Sequence, residues 1–229
     1  YKRAVIIGSK QTFGKGTVQN VVDLNKIISS NTHGDLGALK ITTDKFYRIN
    51  GGSTQLEGVK SDVVFPGRYT YIETGEQAQD NPLSWDQISP ANYQPWDVNR
   101  NFEYALERSK ERIANNAYMI LIDEQAKWIK AQQDDTLYSL NYEDYIEERK
   151  ARSDQTSKYD KLNKFEASFT LQTPNADLPK LEKDEELKEK RLRWKKSLVK
   201  DIYLYEAVRV LEDLAQPQNK INNLAQIKK

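Results

Sequence analysis

The sequence contains no cysteine, a single histidine and no long run of apolar residues. Without cysteine, the chain has no disulfide, no thiol nucleophile and no thiolate ligand for a metal. A Ser–His–Asp enzyme would have to use His33, and a histidine-based zinc site lacks a second histidine within the chain. No apolar stretch approaches the roughly 20 residues that span a bilayer. We therefore expect no membrane span in this region.

Charge of either sign is not in excess. The 35 Lys and Arg residues face 34 Asp and Glu residues, so the net charge of +1 gives no general reason to expect a nucleic-acid partner. Seven basic residues do cluster at 188–200. Because Leu187, Trp194 and Leu198 recur at helical spacing there, we interpret this stretch as a solvated amphipathic helix. His33 lies in a polar turn, where we expect a surface loop.

Glycine is confined to one part of the chain. All ten glycines lie in residues 1–75, whereas 48 of the 69 charged residues lie in residues 101–229. Glycine marks turns and close backbone contacts, while a glycine-free, charge-dense stretch is typical of helices. The composition therefore predicts an α+β chain with a β-rich part (1–75), a linker (76–100) and a mainly α-helical domain (101–229).

Local patterns predict the elements of both parts. In the first part we predict a turn at Asn50-Gly51-Gly52, packing positions in the third strand at Leu39, Ile41, Phe46 and Tyr47, and strands at 4–8, 17–24, 39–49 and 59–65. In the second part, apolar residues form one helical stripe from Phe102 to Trp128 and a longer one from Leu187 to Leu211.

The segment between these two stripes contains a further helix and a loop. Asn141, followed three residues later by Asp144, indicates a helix start. The prolines of 173–179 favour a loop, and 216–229 is expected to be frayed or weakly helical. Tyr138, Tyr142 and Tyr145, together with Trp128, fit either a binding groove or helix packing, of which we favour packing.

A glycine-flanked lysine is the segment with chemical specificity. Gly14-Lys15-Gly16 follows the first predicted strand, as a phosphate-binding loop would. However, five residues instead of four separate Gly8 from Gly14, Gly16 replaces the Ser or Thr that reaches magnesium, and a β-like stretch follows. The alternatives are a solvated loop lysine and a catalytic lysine, whose amine must be neutral and whose stem the glycines could help to bury.

Three blocks around this lysine resemble one family. They are Thr12–Gln19 (TFGKGTVQ), Lys45–Gln55 (KFYRINGGSTQ) and Gly58–Val64 (GVKSDVV), in that order. They closely resemble the tail-specific proteases, bacterial carboxy-terminal processing peptidases with a Ser–Lys catalytic centre. The segments 73–76 and 80–86 extend the match, and the helical remainder resembles the C-terminal helical domain of the larger members.

The resemblance implies that Lys15 is the general base and that Gln19 supports it. The nucleophilic serine of the family precedes the lysine on a helix that is not found in residues 1–14, and Ser9 follows the strand, so we do not assign it. We expect the serine and the PDZ domain to lie outside this chain. In a straight strand Lys15 and Gln19 would lie roughly 14 Å apart. Joint action on one serine therefore requires a bend, for which Gly16 is the candidate.

The resemblance also implies function. The expected activity is endoproteolysis of proteins with exposed, often apolar C-terminal tails, without a metal or cofactor. We expect it in the bacterial periplasm or cell envelope, with an envelope adaptor protein as a partner. We expect this chain alone to be inactive. The alternative is a non-catalytic helical binding or scaffold module that docks an envelope partner.

Overall fold

The computed structural model describes residues 1–28, 30–96 and 101–216. Their contacts form two compact units that interleave along the sequence. The first unit comprises Tyr1–Ala4, Lys10–Ser61 and Glu73–Trp96, and the second comprises Val5–Ser9, Asp62–Ile72 and the described residues after position 100. The predicted division into contiguous segments at residues 75 and 100 stays a prediction. The expected weak helix at 216–229 lies, apart from Gln216, outside the described residues.

Short strands precede a series of helices, which confirms the α+β class. The elements are β1 Ile7–Gly8, β2 Thr17–Asp23, α1 Leu24–Ile27, β3 Ala38–Lys45, β4 Val63–Val64, α2 Phe102–Asn115, α3 Ala117–Asp134, α4 Tyr142–Lys158, α5 Leu178–Lys183, α6 Glu185–Val199 and α7 Ile202–Leu214.

The first unit contains the antiparallel pair β2–β3. Thr17 lies opposite Lys45 at one end and Asp23 opposite Ala38 at the other, and the register shifts between Val18 and Gln19. The predicted packing positions Leu39, Ile41 and Phe46 are exposed, so the prediction was wrong for these three, whereas the fourth, Tyr47, is half-buried. Alternation along a strand identifies one face of a sheet, but it does not establish that the face is covered within this chain.

The buried centre of the first unit is polar. Its buried side chains are those of Thr17, Ser53, Thr54 and Gln55. The predicted turn is present, with Gly51 at φ +84° and its N–H bonded to Arg48 O at 2.8 Å. Hydrogen bonds rather than apolar contacts therefore hold this centre together.

The predicted linker contributes hydrogen bonds to the first unit. Within it, Trp85 Nε1 donates to Ser53 O at 2.9 Å, and Asp86 O accepts from Ser53 N at 3.1 Å. Ile88 N donates to Gly51 O at 2.9 Å. This part of the predicted linker is therefore hydrogen-bonded to the 51–53 turn.

The second unit has an apolar centre. In it β1 and β4 form a parallel pair of two residues each, shorter than the predicted strands at 4–8 and 59–65. Val63 and Phe65 contribute to a core with helical residues. The other buried members of this core are Leu106, Met119, Ile122, Phe165 and Ile202.

Each predicted helical stripe is divided by a capping residue. Asn116 ends α2 and caps α3, where its Oδ1 accepts from the N–H groups of the first turn. Asp201 caps α7 in the same way, directly after Lys200, which ends α6. An Asn or Asp side chain satisfies the free N–H groups of a helix start, so apolar spacing can continue across two helices. The Asn141 cap is confirmed, whereas Pro179 lies in the first turn of α5 and not in a loop.

A buried ionic network joins α2 to α7. Arg112 Nη2 lies 2.8 Å from Glu206 Oε1, and Arg112 Nη1 lies 2.6 Å from Asp213 Oδ2. Ser109 Oγ donates to Glu206 Oε1 at 2.7 Å. Burial alone would lower the pKa of Arg112, but its hydrogen bonds to Glu206 and Asp213 raise that pKa above the usual value. The guanidinium therefore stays charged and neutralises a buried carboxylate.

The exposed residues include some that were predicted to lie on the surface and some that were not. His33 is an exposed loop residue, and α6 buries no residue, as expected for a solvated helix. Tyr138, Tyr142 and Tyr145 are also exposed, so the packing that we favoured for them was wrong. Among the described residues, no helix is sufficiently long and apolar to cross a bilayer.

Candidate active site

A groove in the first unit contains the predicted catalytic lysine. Its volume is about 420 Å³. Lys15 and Gln19 both line it, close to the start of β2. The remaining lining residues are Phe13, Thr17, Thr42, Glu76, Gln79, Asp80, Asn81, Pro82 and Leu83. The structure therefore brings the two predicted site residues together in one concave surface.

Lys15 and Gln19 are in direct contact. Lys15 Nζ donates to Gln19 Oε1 at 2.9 Å. A straight strand would have separated them, but Lys15 precedes β2, which begins at Thr17. The register of β2 also shifts between Val18 and Gln19, because Val18 lies opposite Asp44 and Gln19 opposite Thr42. The bend predicted at Gly16 stays a prediction, whereas the register shift lies within the strand, where such irregularities bend the backbone.

The backbone on both sides of Lys15 is held by residues 53–56. Leu56 N donates to Gly14 O at 2.7 Å, and Thr54 Oγ1 donates to Lys15 O at 3.2 Å. A Cβ on Gly16 would lie 2.4 Å from Gln55 N, so only glycine allows this approach. Two of the sequence blocks are thus neighbours in space, and the glycines allow backbone contact.

We call residues 53–56 the 53–56 clamp. Gln55 of this clamp and its hydrogen-bond partner Glu76 had no role in the sequence analysis. The side chain of Gln55 is fully buried, and its Oε1 accepts from Gly16 N at 2.8 Å. Its Nε2 donates to Glu76 Oε1 at 3.2 Å. Glu76 N in turn donates to Phe13 O at 2.7 Å. Both residues lie inside the segments that carry the family resemblance, which was the only signal for them in the sequence.

The lysine side chain itself is exposed. The expectation that Gly14 and Gly16 would bury its stem is wrong for this chain, because they bring backbone against Leu56 and Gln55 instead. Strand β2, and not a helix, follows Gly16, so the loop has no helix N-terminus at which a phosphate would bind. The arrangement offers an amine with a fixed hydrogen-bond partner at the edge of a groove.

Comparison with known families agrees with this geometry. Residues 69–216 match the family described as the C-terminal domain of tail specific protease. The chain belongs to the family of tail-specific proteases. The preceding residues 1–65 match Peptidase family S41, so the groove lysine lies in the peptidase part of the family and α2–α7 lie in its C-terminal domain.

Two bacterial relatives match this chain over different lengths. A tail-specific protease of Haemophilus influenzae is 34% identical over 100% of this chain, which covers 32% of that protein. A carboxy-terminal-processing protease of Bartonella bacilliformis is 41% identical over 64 residues, 28% of this chain and 12% of that protein. The chain therefore spans about a third of the length of the Haemophilus influenzae relative.

Proposed function

We propose that this chain supplies the general base of a serine endopeptidase whose nucleophilic serine lies in another part of the parent protein. The observation that supports this most directly is the 2.9 Å hydrogen bond from Lys15 Nζ to Gln19 Oε1 inside the groove. A glutamine oxygen that accepts one amine hydrogen orients the nitrogen. The lone pair of a neutral Lys15 is then free to face a serine hydroxyl.

In the proposed reaction, Lys15 acts once as base and once as acid. Its neutral amine takes the proton of the serine hydroxyl as the serine oxygen attacks a peptide carbonyl carbon. The resulting ammonium returns that proton to the leaving amine when the peptide C–N bond breaks, which leaves an acyl-serine for hydrolysis. Gln19 stays hydrogen-bonded throughout and keeps the amine in position, and no metal or cofactor takes part.

The substrates, place and partners that we propose follow the family. The substrates are proteins with unstructured, apolar C-terminal tails, and the protein works in the periplasm or cell envelope of a bacterium, where an adaptor protein can bind it. Because general-base catalysis needs the nucleophile and the base together, we expect the 229-residue chain alone to be inactive.

A second candidate function rests on the helical domain. Leu137, Leu140 and Tyr142 are strongly exposed at the start of α4, and α4 buries no residue. An exposed apolar cluster is typical of an interaction surface. The alternative is therefore a non-catalytic module that docks an envelope partner through this surface, with Lys15 as an ordinary solvated lysine.

The decisive experiment measures cleavage of a protein with an unstructured apolar tail by the full-length parent and its variants. We expect Lys15→Ala to lower kcat about a thousandfold and Gln19→Ala about tenfold, because positioned acid–base groups contribute 10²–10⁴. Lys10→Ala is the matched control, an exposed lysine outside the groove, and should keep full activity. Wild-type activity in Lys15→Ala would leave the docking module as the better candidate.

A further inference from the structure

The fully buried Gln55 links the lysine loop to Glu76. Its Oε1 accepts the N–H of Gly16, the peptide group that directly follows Lys15. Its Nε2 donates to the Glu76 carboxylate, and the backbone N–H of Glu76 holds Phe13 O, two residues before the lysine. The Gln55 side chain thus connects the Gly16 N–H with Glu76, whose own backbone N–H bonds to Phe13 O.

A glutamine fits this position because it presents an acceptor and a donor at once. Gly16 N–H requires an acceptor, and the Glu76 carboxylate requires a donor. A glutamate at position 55 would place two carboxylates against each other, which is unfavourable in a buried site. An apolar side chain would leave the buried Gly16 N–H without a partner.

We propose that Gln55, together with Glu76, is a positioning residue that sets where the Lys15 amine lies in the groove. This inference rests on the proposed function, since it concerns the same lysine. The Lys15 side chain is exposed and donates a hydrogen bond to Gln19, so the path of the backbone at Lys15 determines where the amine can lie. Displacement of a catalytic group by about 1 Å can cost a hundredfold in rate.

The test uses the full-length parent with tail cleavage as the assay. Gln55→Met keeps the length of the side chain but removes both hydrogen bonds. We expect it to lower kcat about thirtyfold with KM unchanged, because the loss falls on the alignment of the base and not on substrate binding. Gln87→Met is the matched control, an exposed glutamine of the same unit that does not line the groove, and should match the wild type.

An exchanged pair provides a second, independent readout. The double variant Gln55→Glu/Glu76→Gln retains both hydrogen bonds, because an oxygen at position 55 still accepts from Gly16 N and only the bond between positions 55 and 76 reverses its direction, so we expect it to fold. It moves a carboxylate next to the peptide that follows Lys15, while Asp80 remains the other acidic residue lining the groove. Gln55→Glu alone sets two carboxylates against each other and should lower kcat at least tenfold, and the exchanged pair should restore kcat to within about threefold of the wild type.

The outcomes separate this inference from the proposed function. A wild-type kcat in Gln55→Met, or a raised KM with kcat unchanged, would overturn the positioning role. If Gln55→Met fails to fold, the exchanged pair decides: a kcat restored above that of Gln55→Glu supports the role, whereas equal kcat values in these two variants overturn it. Lys15→Ala is assayed in parallel, because full activity there would defeat the proposed function itself.

Discussion

The centres of the two units contain different chemistry. In the second unit, apolar side chains such as Met119 and Val63 fill the centre. In the first unit, the buried side chains are polar, and glycines bring backbone segments into contact. Among the described residues, each buried hydrophobic side chain belongs to the second unit, while apolar residues of β2 and β3 such as Val21 are exposed.

This difference indicates what each unit contributes. Burial of apolar surface is the main stabilising contribution in folding, so the second unit has its own source of stability. A network of hydrogen bonds contributes less net free energy but fixes geometry closely. The first unit is therefore suited to holding the backbone around Lys15 in a fixed geometry.

The largest expected effect concerns local unfolding of the two units. In hydrogen exchange, amides of β2 and β3 should exchange faster than those of α3, by roughly a hundredfold or more, because regions with few buried apolar contacts open at lower free energy. The measurement is native-state exchange of the isolated chain followed by mass spectrometry. Equal protection would show that hydrogen bonds alone stabilise the first unit as well as a core does.

A substitution in the apolar centre should cost the next largest amount. Met119 is buried and Ile120 beside it is exposed, so the pair tests burial at adjacent positions of α3. We expect Met119→Ala to lower the free energy of unfolding by about 3 kcal/mol because it leaves a cavity. Ile120→Ala should change it by less than about 0.5 kcal/mol. Urea unfolding followed by circular dichroism measures both, since most helices lie in the second unit.

Close backbone contact in the first unit is tested by two glycines with similar dihedral angles. Gly14 has φ +89° and Gly34 has φ +85°, so alanine is strained at both. A Cβ at Gly14 would lie 2.7 Å from Leu56 O, whereas nothing lies within 4 Å of one at Gly34. We expect Gly14→Ala to cost about 1–2 kcal/mol more than Gly34→Ala.

The readout for this pair is the exchange rate of the Leu56 amide, which donates to Gly14 O. Its protection should fall in Gly14→Ala and stay unchanged in Gly34→Ala. Equal rates in the two variants would mean that the 53–56 clamp can move aside, which would weaken the case for a rigid first unit.

The smallest expected effect concerns a surface ion pair of the second unit. Asp123 accepts from Tyr71 Oη at 2.7 Å and lies 2.8 Å from Lys127 Nζ. Partial burial raises the pKa of Asp123, but the hydrogen bonds from Lys127 and Tyr71 outweigh it and bring that pKa below 3.8. We expect Asp123→Asn to cost about 0.5 kcal/mol at neutral pH.

The sign of its pH dependence follows from the lowered pKa. The unfolded carboxyl binds its proton at higher pH than the folded one, so the contribution of Asp123 is present above 3.8 and is lost as the pH falls through its folded pKa. The wild type and Asp123→Asn should therefore converge in urea unfolding at low pH. A difference that persists there would show that the ion pair is not the cause.

Sequence reasoning succeeded where local chemistry decides the structure. The caps at Asn141 and the turn at Asn50–Gly52 were predicted because single side chains and glycines determine them. It missed the cap at Asn116, a local signal that the continuous apolar spacing concealed. It failed where distant contacts decide, because periodicity could not reveal that Leu39 and Phe46 are exposed. No local pattern encodes the Lys15–Gln19 contact or the register shift beside it, and the family resemblance alone connected the two residues.

The network between Arg112 and Glu206 has a consequence for synthesis of the protein. Its partners lie 94 residues apart, and Asn101 Nδ2 also donates to Leu214 O, 113 residues further along. At about 5–20 residues per second, a ribosome needs roughly 5–20 seconds to extend the chain from one partner to the other. During that interval the Arg112 face of α2 has no α7 to cover it, so this part of the helical domain can form only after α7 has been synthesised.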